Sequence, residues 1–165
     1  MKNYICIDGK KAELTPEQLK ALGIEVKEKN PFDRVEKDHS FFYIGSDGKV
    51  GKTREVNCEY DDNCFDVANY CTDKSIMEQR ALHEILNRLL WRYSMEHDGD
   101  KIDWSDKNNC KYQLFFDHEC NKVYIDFNRA WDAIGVAHFH TEEIAENAIK
   151  EIVEPFMKEH PKFKW

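Results

Sequence analysis

Polar and apolar positions along the chain switch period several times, and each switch marks an element. NYICID is a short apolar run that can form a strand, DGK supplies a turn, and KAEL reads as a short return strand. Thr15, Pro16 and Gln18 then have the spacing of a capping box with proline in the first helical turn. Leu19 and Leu22 lie on one face, and Gly23 is a C-terminal stop. The charged stretch IEVKEKNP is a connector, broken at Asn30-Pro31. SFFYIGSDGKV is a hairpin signature, with SDG as its turn. EVNCEYDDNCFDV is expected as an acidic loop or edge strand, VANY as a short strand, and Thr72 as the cap of the next helix.

From Lys74 to His97 the period is helical. Leu82, Ile85, Leu86, Leu89 and Tyr93 fall three or four apart, Glu84 and Arg88 make an outward i,i+4 pair, and Gly99 closes the helix. The polar stretch DGDKIDWSDKNN leads to a second hairpin, KYQLFFD and KVYIDF around HECN. NRAWDAIG is irregular and VAHFH is a short strand. Thr141 caps a helix over Glu142–Glu159, with acid in its first turn. Its stripe is Ala145, Ala148, Ile149, Ile152 and Phe156, and Pro155 interrupts its ladder. The tail KEHPKFKW ends in an aromatic residue.

The order hairpin, irregular segment, short strand, threonine cap, helix thus occurs twice. VANYCTD is echoed by VAHFHTE, and ALHEI from Ala81 by AIKEI from Ala148. A ββ(β)α unit cannot bury its sheet face alone, whereas two copies share a core. The expectation is an α+β protein: antiparallel sheet with two main helices packed on it. It divides into an N-terminal hairpin-helix unit (1–29) and two pseudo-repeated units (30–99 and 100–165).

Composition narrows the function. Among 165 residues, 41% are hydrophobic and 13% aromatic, enough for a packed core. A net charge of −8 disfavours direct nucleic-acid binding and anionic membranes, and suits a partner with a basic surface. The start MKNYICIDGKK carries charge and no apolar run, so no secretory signal is expected and the six cysteines are expected as thiols in a reducing cytoplasm.

Catalytic and metal-binding patterns are incomplete. His138 and His140 share a strand face and could meet His118 or Cys120 on zinc, yet no CxxC pair accompanies them. His83-Glu84 opens a zinc-protease helix motif whose second histidine is replaced by Asn87. Asp98, Asp100, Asp103 and Asp106 lack the glycine and spacing of a calcium loop. Cys71 sits before a helix N-terminus, which favours a thiolate, but His140 stands at the matching place in the second unit and need not be near it, so burial of a small thiol at a strand end is expected. GSDGKVGK lacks the phosphate-loop spacing. No cofactor is expected.

The distinctive surface signal is EVNCEYDDNCFD. Glu55, Glu59, Asp61, Asp62 and Asp66 carry the acid, Tyr60 and Phe65 are interleaved, and no Lys or Arg interrupts them. Acid would speed encounter with a basic partner and an aromatic side chain would anchor it.

GSDGKV, the Val-Ala-aromatic-x-Thr-acid junctions, EQRALHEILNRLLWRYSMEHDGDKIDW and TEEIAENAIKEIVEPFMKEHPKF resemble small prophage and mobile-element proteins of Firmicutes, over roughly residues 31 to 165. The resemblance implies a phage or mobile-element origin in a bacterial cytoplasm. By analogy with small acidic anti-defence proteins, anti-CRISPRs among them, it implies a non-enzymatic inhibitor of a nucleic-acid-binding host defence nuclease. The alternatives are a small metal- or thiol-dependent hydrolase using Cys and His residues, and a homo-oligomeric accessory protein.

Overall fold

The computed structural model describes residues 4–7, 10–23, 30–129 and 135–165. The chain divides into two compact units, Met1–Asp33 and Arg34–Trp165. The expected boundary at residues 99 and 100 falls inside the second. The Asp8-Gly9 turn, the 24–29 part of the connector and most of NRAWDAIG lie outside the described residues.

In the first unit, β1 (Tyr4–Ile7) pairs antiparallel with β2 (Lys10–Glu13). Helix α1 (Pro16–Ala21) follows. The Gln18 amide N–H donates to Thr15 Oγ1 at 3.3 Å and the Thr15 N–H to Gln18 Oε1 at 2.9 Å, so both halves of the capping box form. Gly23 takes the left-handed conformation at φ 69° that ends the helix.

The second unit is α+β. Strands β3 (Ser40–Ile44) and β4 (Val50–Arg54) form one antiparallel hairpin, and β5 (Lys111–Asp117) and β6 (Lys122–Asn128) another. The hairpins do not join: each stays two-stranded, in place of the single sheet expected. One isolated antiparallel bridge extends each, Phe42 with Cys71 and Tyr112 with Phe139, in place of the short VANY and VAHFH strands.

Helix α2 (Glu59–Asp66) occupies the segment expected as a loop or edge strand. Helix α3 (Lys74–Glu96) is the spine. Its first half buries Met77 and Ala81 with Ile44 and Cys71 of the β3 side. Its second half buries Leu86, Leu90 and Tyr93 with Phe139, Ala145, Ala148, Val153 and Phe156. A helix of 23 residues is long enough to serve two cores in sequence. Its cap is Asp73, not Thr72: Asp73 Oδ1 accepts from the Ser75 and Ile76 amides at 2.8 and 3.3 Å.

At the far end of α3 the left-handed residue is Asp98 (φ 65°). Gly99 is needed for space instead. A Cβ there would lie 2.3 Å from Ser94 Oγ, and that hydroxyl donates to the His138 carbonyl.

The last helix is capped by Thr141, whose Oγ1 accepts from the Ile144 amide at 3.2 Å. It runs as α4 (Glu142–Ala148), a π segment (Ile149–Val153) and α5 (Glu154–Glu159). Pro155 has no N–H to give to the carbonyl four residues back and its ring crowds that group, so the ladder widens just before it. The extra residue per turn rotates the buried stripe. Val153 joins Ala145, Ala148 and Phe156 in the core, while Ile149 and Ile152 are only half-buried.

The tail closes this core: Trp165 stacks on Phe116 at 5.3 Å, and Phe163 packs edge-on to Phe156 and His83.

Candidate interaction surface

Helix α2 is built on two buried carboxylates. Glu55, at the end of β4, is fully buried and accepts four hydrogen bonds. Arg34 Nε and Nη2 donate to its two oxygens at 3.0 Å each, the Tyr70 hydroxyl to Oε2 at 3.0 Å and the Asn57 amide to Oε1 at 2.9 Å. The Arg34 guanidinium holds the Glu55 carboxyl below its ordinary range and outweighs the opposing effect of burial. Burial pushes the Tyr70 hydroxyl up to about 12, so it remains a donor, and it accepts the Val35 amide at 3.1 Å.

Asp61 is the third residue of α2, and its carboxylate turns back under the helix start. Oδ2 accepts from the Val56 and Cys58 amides at 2.8 and 3.2 Å. Burial raises its pKa, but those two amides prevail and the group sits below the ordinary aspartate value. Glu59, Asp61 and Asp62 all fall in the first turn, where the helix dipole favours negative charge. This explains why a segment poor in strong helix formers is helical. The bias of acid toward the first turn was the sequence signal for it.

Glu55 and Asp61 are therefore corrections to the expected acidic surface: both are interior and structural. Asp62 is exposed but paired, 2.7 Å from Arg34 Nη2, so the cation absent from the local sequence arrives from another segment. Glu59 and Asp66 are exposed.

Tyr60 packs one edge against Tyr43 (5.8 Å) and Phe65 one edge against Tyr70 (5.5 Å), with the Arg34 guanidinium 5.8 Å from the Phe65 ring. Both keep outward faces, at 49% and 37% exposed, and Val56 (49%) and Val67 (69%) flank them. Acidic and apolar groups thus share one rigid helix and its two ends.

The other sequence constellations disperse. His138 is buried edge-on to Trp104 at 4.9 Å, and His118 lies against Phe116. Among the described residues no three His, Cys, Asp or Glu side chains converge as a metal site. Asp98 pairs with Lys101 at 2.6 Å, Asp103 accepts from Ser105, and Asp106 accepts from Asn108 and Asn109, so these carboxylates are engaged within their own loop. Cys71 is fully buried, its sulfur accepting from the Asp73 amide at 3.4 Å, and all six cysteines are free thiols.

Lys111 was not singled out by sequence. It is buried, with its ammonium given to the carbonyls of Asp106, Asn109 and Arg129, and it pins the loop before β5. No described helix is long and apolar enough to cross a membrane.

No protein-family model, curated protein or solved structure matches the chain.

Proposed function

We propose that this chain is a non-enzymatic binding protein of phage or mobile-element origin. It acts in the bacterial cytoplasm by engaging a basic protein surface, such as the nucleic-acid channel of a host defence nuclease of the CRISPR-effector kind. The contact is the outer side of α2: Glu59, Asp62 and Asp66 for charge, Tyr60 and Phe65 for anchoring.

One observation carries this reading. Four exposed apolar or aromatic side chains, Val56, Tyr60, Phe65 and Val67, surround three exposed acids on a helix locked from beneath by Glu55 and Asp61. A rigid, preorganised patch loses little entropy on docking. Within Arg34–Trp165 we also read two related ββ(β)α units. A bridge from each hairpin's first strand, Phe42–Cys71 and Tyr112–Phe139, falls two residues ahead of each helix cap, Asp73 and Thr141, and supports that pairing, although the bridging residues are one position apart in the sequence echo.

The test is partner capture from phage-host lysate, repeated with a Glu59→Lys/Asp66→Lys variant. Both positions are exposed, but Glu59 is also a first-turn acid of α2, so an unchanged circular dichroism melt is required of the variant before capture is compared. The partner recovered by the native chain is expected to be lost. Equal recovery of that partner by the variant removes α2 as the contact.

A further inference from the structure

An open groove of about 1230 Å³ lies on the second unit between the β3–β4 turn, the first half of α3 and the C-terminal tail. It is independent of α2. Val50, Ile76, Leu82 and Ile85 supply apolar lining, and Lys49, Lys74, Lys162 and Lys164 bring four cations to it. Lys49 and Lys74 have neighbouring acids, Asp47 at 3.8 Å and Glu78 at 2.8 Å. Lys162 and Lys164 have no ion-pair partner among the described residues. In a chain of net charge −8 this is a local reversal of sign.

The backbone of the two unpaired lysines is held in place. The Gln79 side chain donates from Nε2 to the Lys162 carbonyl and accepts the Lys164 amide at Oε1, both at 2.9 Å. One carboxamide thus gives the tail the pair of bonds a neighbouring strand would give. Alternation then sends Phe163 and Trp165 to the core cluster and leaves Lys162 and Lys164 exposed.

We propose that this groove is the docking site for an acidic, amphipathic peptide segment of a partner protein. Its apolar side chains would seat on Val50, Ile76, Leu82 and Ile85, and its carboxylates would meet Lys162 and Lys164. Charge complementarity selects the acid, since two exposed lysines on a pinned backbone beside an apolar floor have no ion-pair partner among the described residues. Size and openness select a peptide, because small-molecule pockets enclose their ligands in about 300–1,000 Å³. Concavity selects against a bilayer surface, which is flat on the scale of the groove.

The test is fluorescence anisotropy with a fluorescein-labelled amphipathic peptide of leucine and glutamate, titrated with the full chain. The peptide is expected to bind, to weaken about tenfold or more with Lys162→Glu/Lys164→Glu, and to weaken as salt rises. Amide shifts on binding are expected at Val50, Ile76, Leu82 and Ile85. Both lysines are exposed, so the variant keeps its fold. Glu59→Lys/Asp66→Lys should leave this binding intact, which separates its failure from failure of the α2 contact.

Several results overturn the proposal: no binding of the acidic peptide, equal binding of its leucine–lysine counterpart, or equal affinity in the Lys162/Lys164 variant. Charge-reversal-sensitive self-association by light scattering would assign the groove to a second copy instead, and charge-reversal-sensitive capture by phosphatidylglycerol vesicles would assign it to membrane.

Discussion

Replacing Glu55 with glutamine tests whether a buried carboxylate, invisible as such in the sequence, holds α2 in place. Each carboxylate oxygen accepts two bonds: Oε1 from Arg34 Nη2 and the Asn57 amide, Oε2 from Arg34 Nε and the Tyr70 hydroxyl. Glutamine keeps one oxygen and puts an NH₂ group in place of the other. In one orientation the NH₂ faces the Arg34 Nη2 and Asn57 N–H donors and both bonds are lost, though Nη2 keeps Asp62; in the other it faces Arg34 Nε, whose bond is lost, and the Tyr70 hydroxyl, which must turn its own hydrogen away in order to accept. Hydrogen bonds to charged groups contribute about 1.5–3 kcal/mol each. Relief comes from Arg34, which is one-third exposed and also bonded to Asp62.

The net loss expected is about 3 kcal/mol, near the lower end for breaking a buried pair. With a urea slope of about 2 kcal/mol/M, the unfolding midpoint falls by about 1.5 M. Tryptophan emission is the assay, because all four tryptophans follow residue 90 and report the Arg34–Trp165 unit alone. In a double-mutant cycle with Tyr70→Phe the two changes should be non-additive by about 0.5 kcal/mol or more. A midpoint shift below about 0.3 M, about 0.6 kcal/mol at that slope, would show the network to be solvated and the reasoning wrong.

Asp61→Ala should cost about 1–3 kcal/mol by orphaning the Val56 and Cys58 amides. Asp61→Asn should recover most of it, since both bonds fall on one oxygen; equal urea midpoints for the two variants would refute the capping role. Glu55 and Asp61 both have folded pKa values below their ordinary 4.5 and 3.8. The unfolded chain therefore binds more protons in acid. Their stabilisation is complete above the ordinary values and lost as pH falls through the lower folded ones. Urea midpoints should drop below about pH 4.5, and less steeply in Glu55→Gln. Gly99→Ala should lower stability by about 1–3 kcal/mol, because the added methyl overlaps Ser94, and a thermal melt within 1 °C of native would refute it.

The elements set by local chemistry were legible in the sequence. The capping box at Thr15 and Gln18, both β-hairpins of the second unit, the span of α3 and the Thr141 cap all appear where the period and the cap residues put them. Two of the misses were local, the helix of Glu59–Asp66 with its first-turn acid and the Asp73 cap beside Thr72; the others arise because the deciding partner lies far along the chain. Glu55 and Asp61 look like surface acid until Arg34, 21 residues upstream of Glu55, and the fold around Tyr70 enclose them. One wall of the groove is the tail, which Gln79 meets across 83 residues.

The sequence by itself determined the two β-hairpins and the long helix of the second unit, the capped helix starts at Thr15 and Thr141, and that acid dominates the chain. Only the tertiary structure decided which acids remain outside, how the hairpins divide between two ends of one helix, and where lysines gather. Period and capping act over three or four residues, whereas burial and charge pairing depend on which distant segments the packed core brings together.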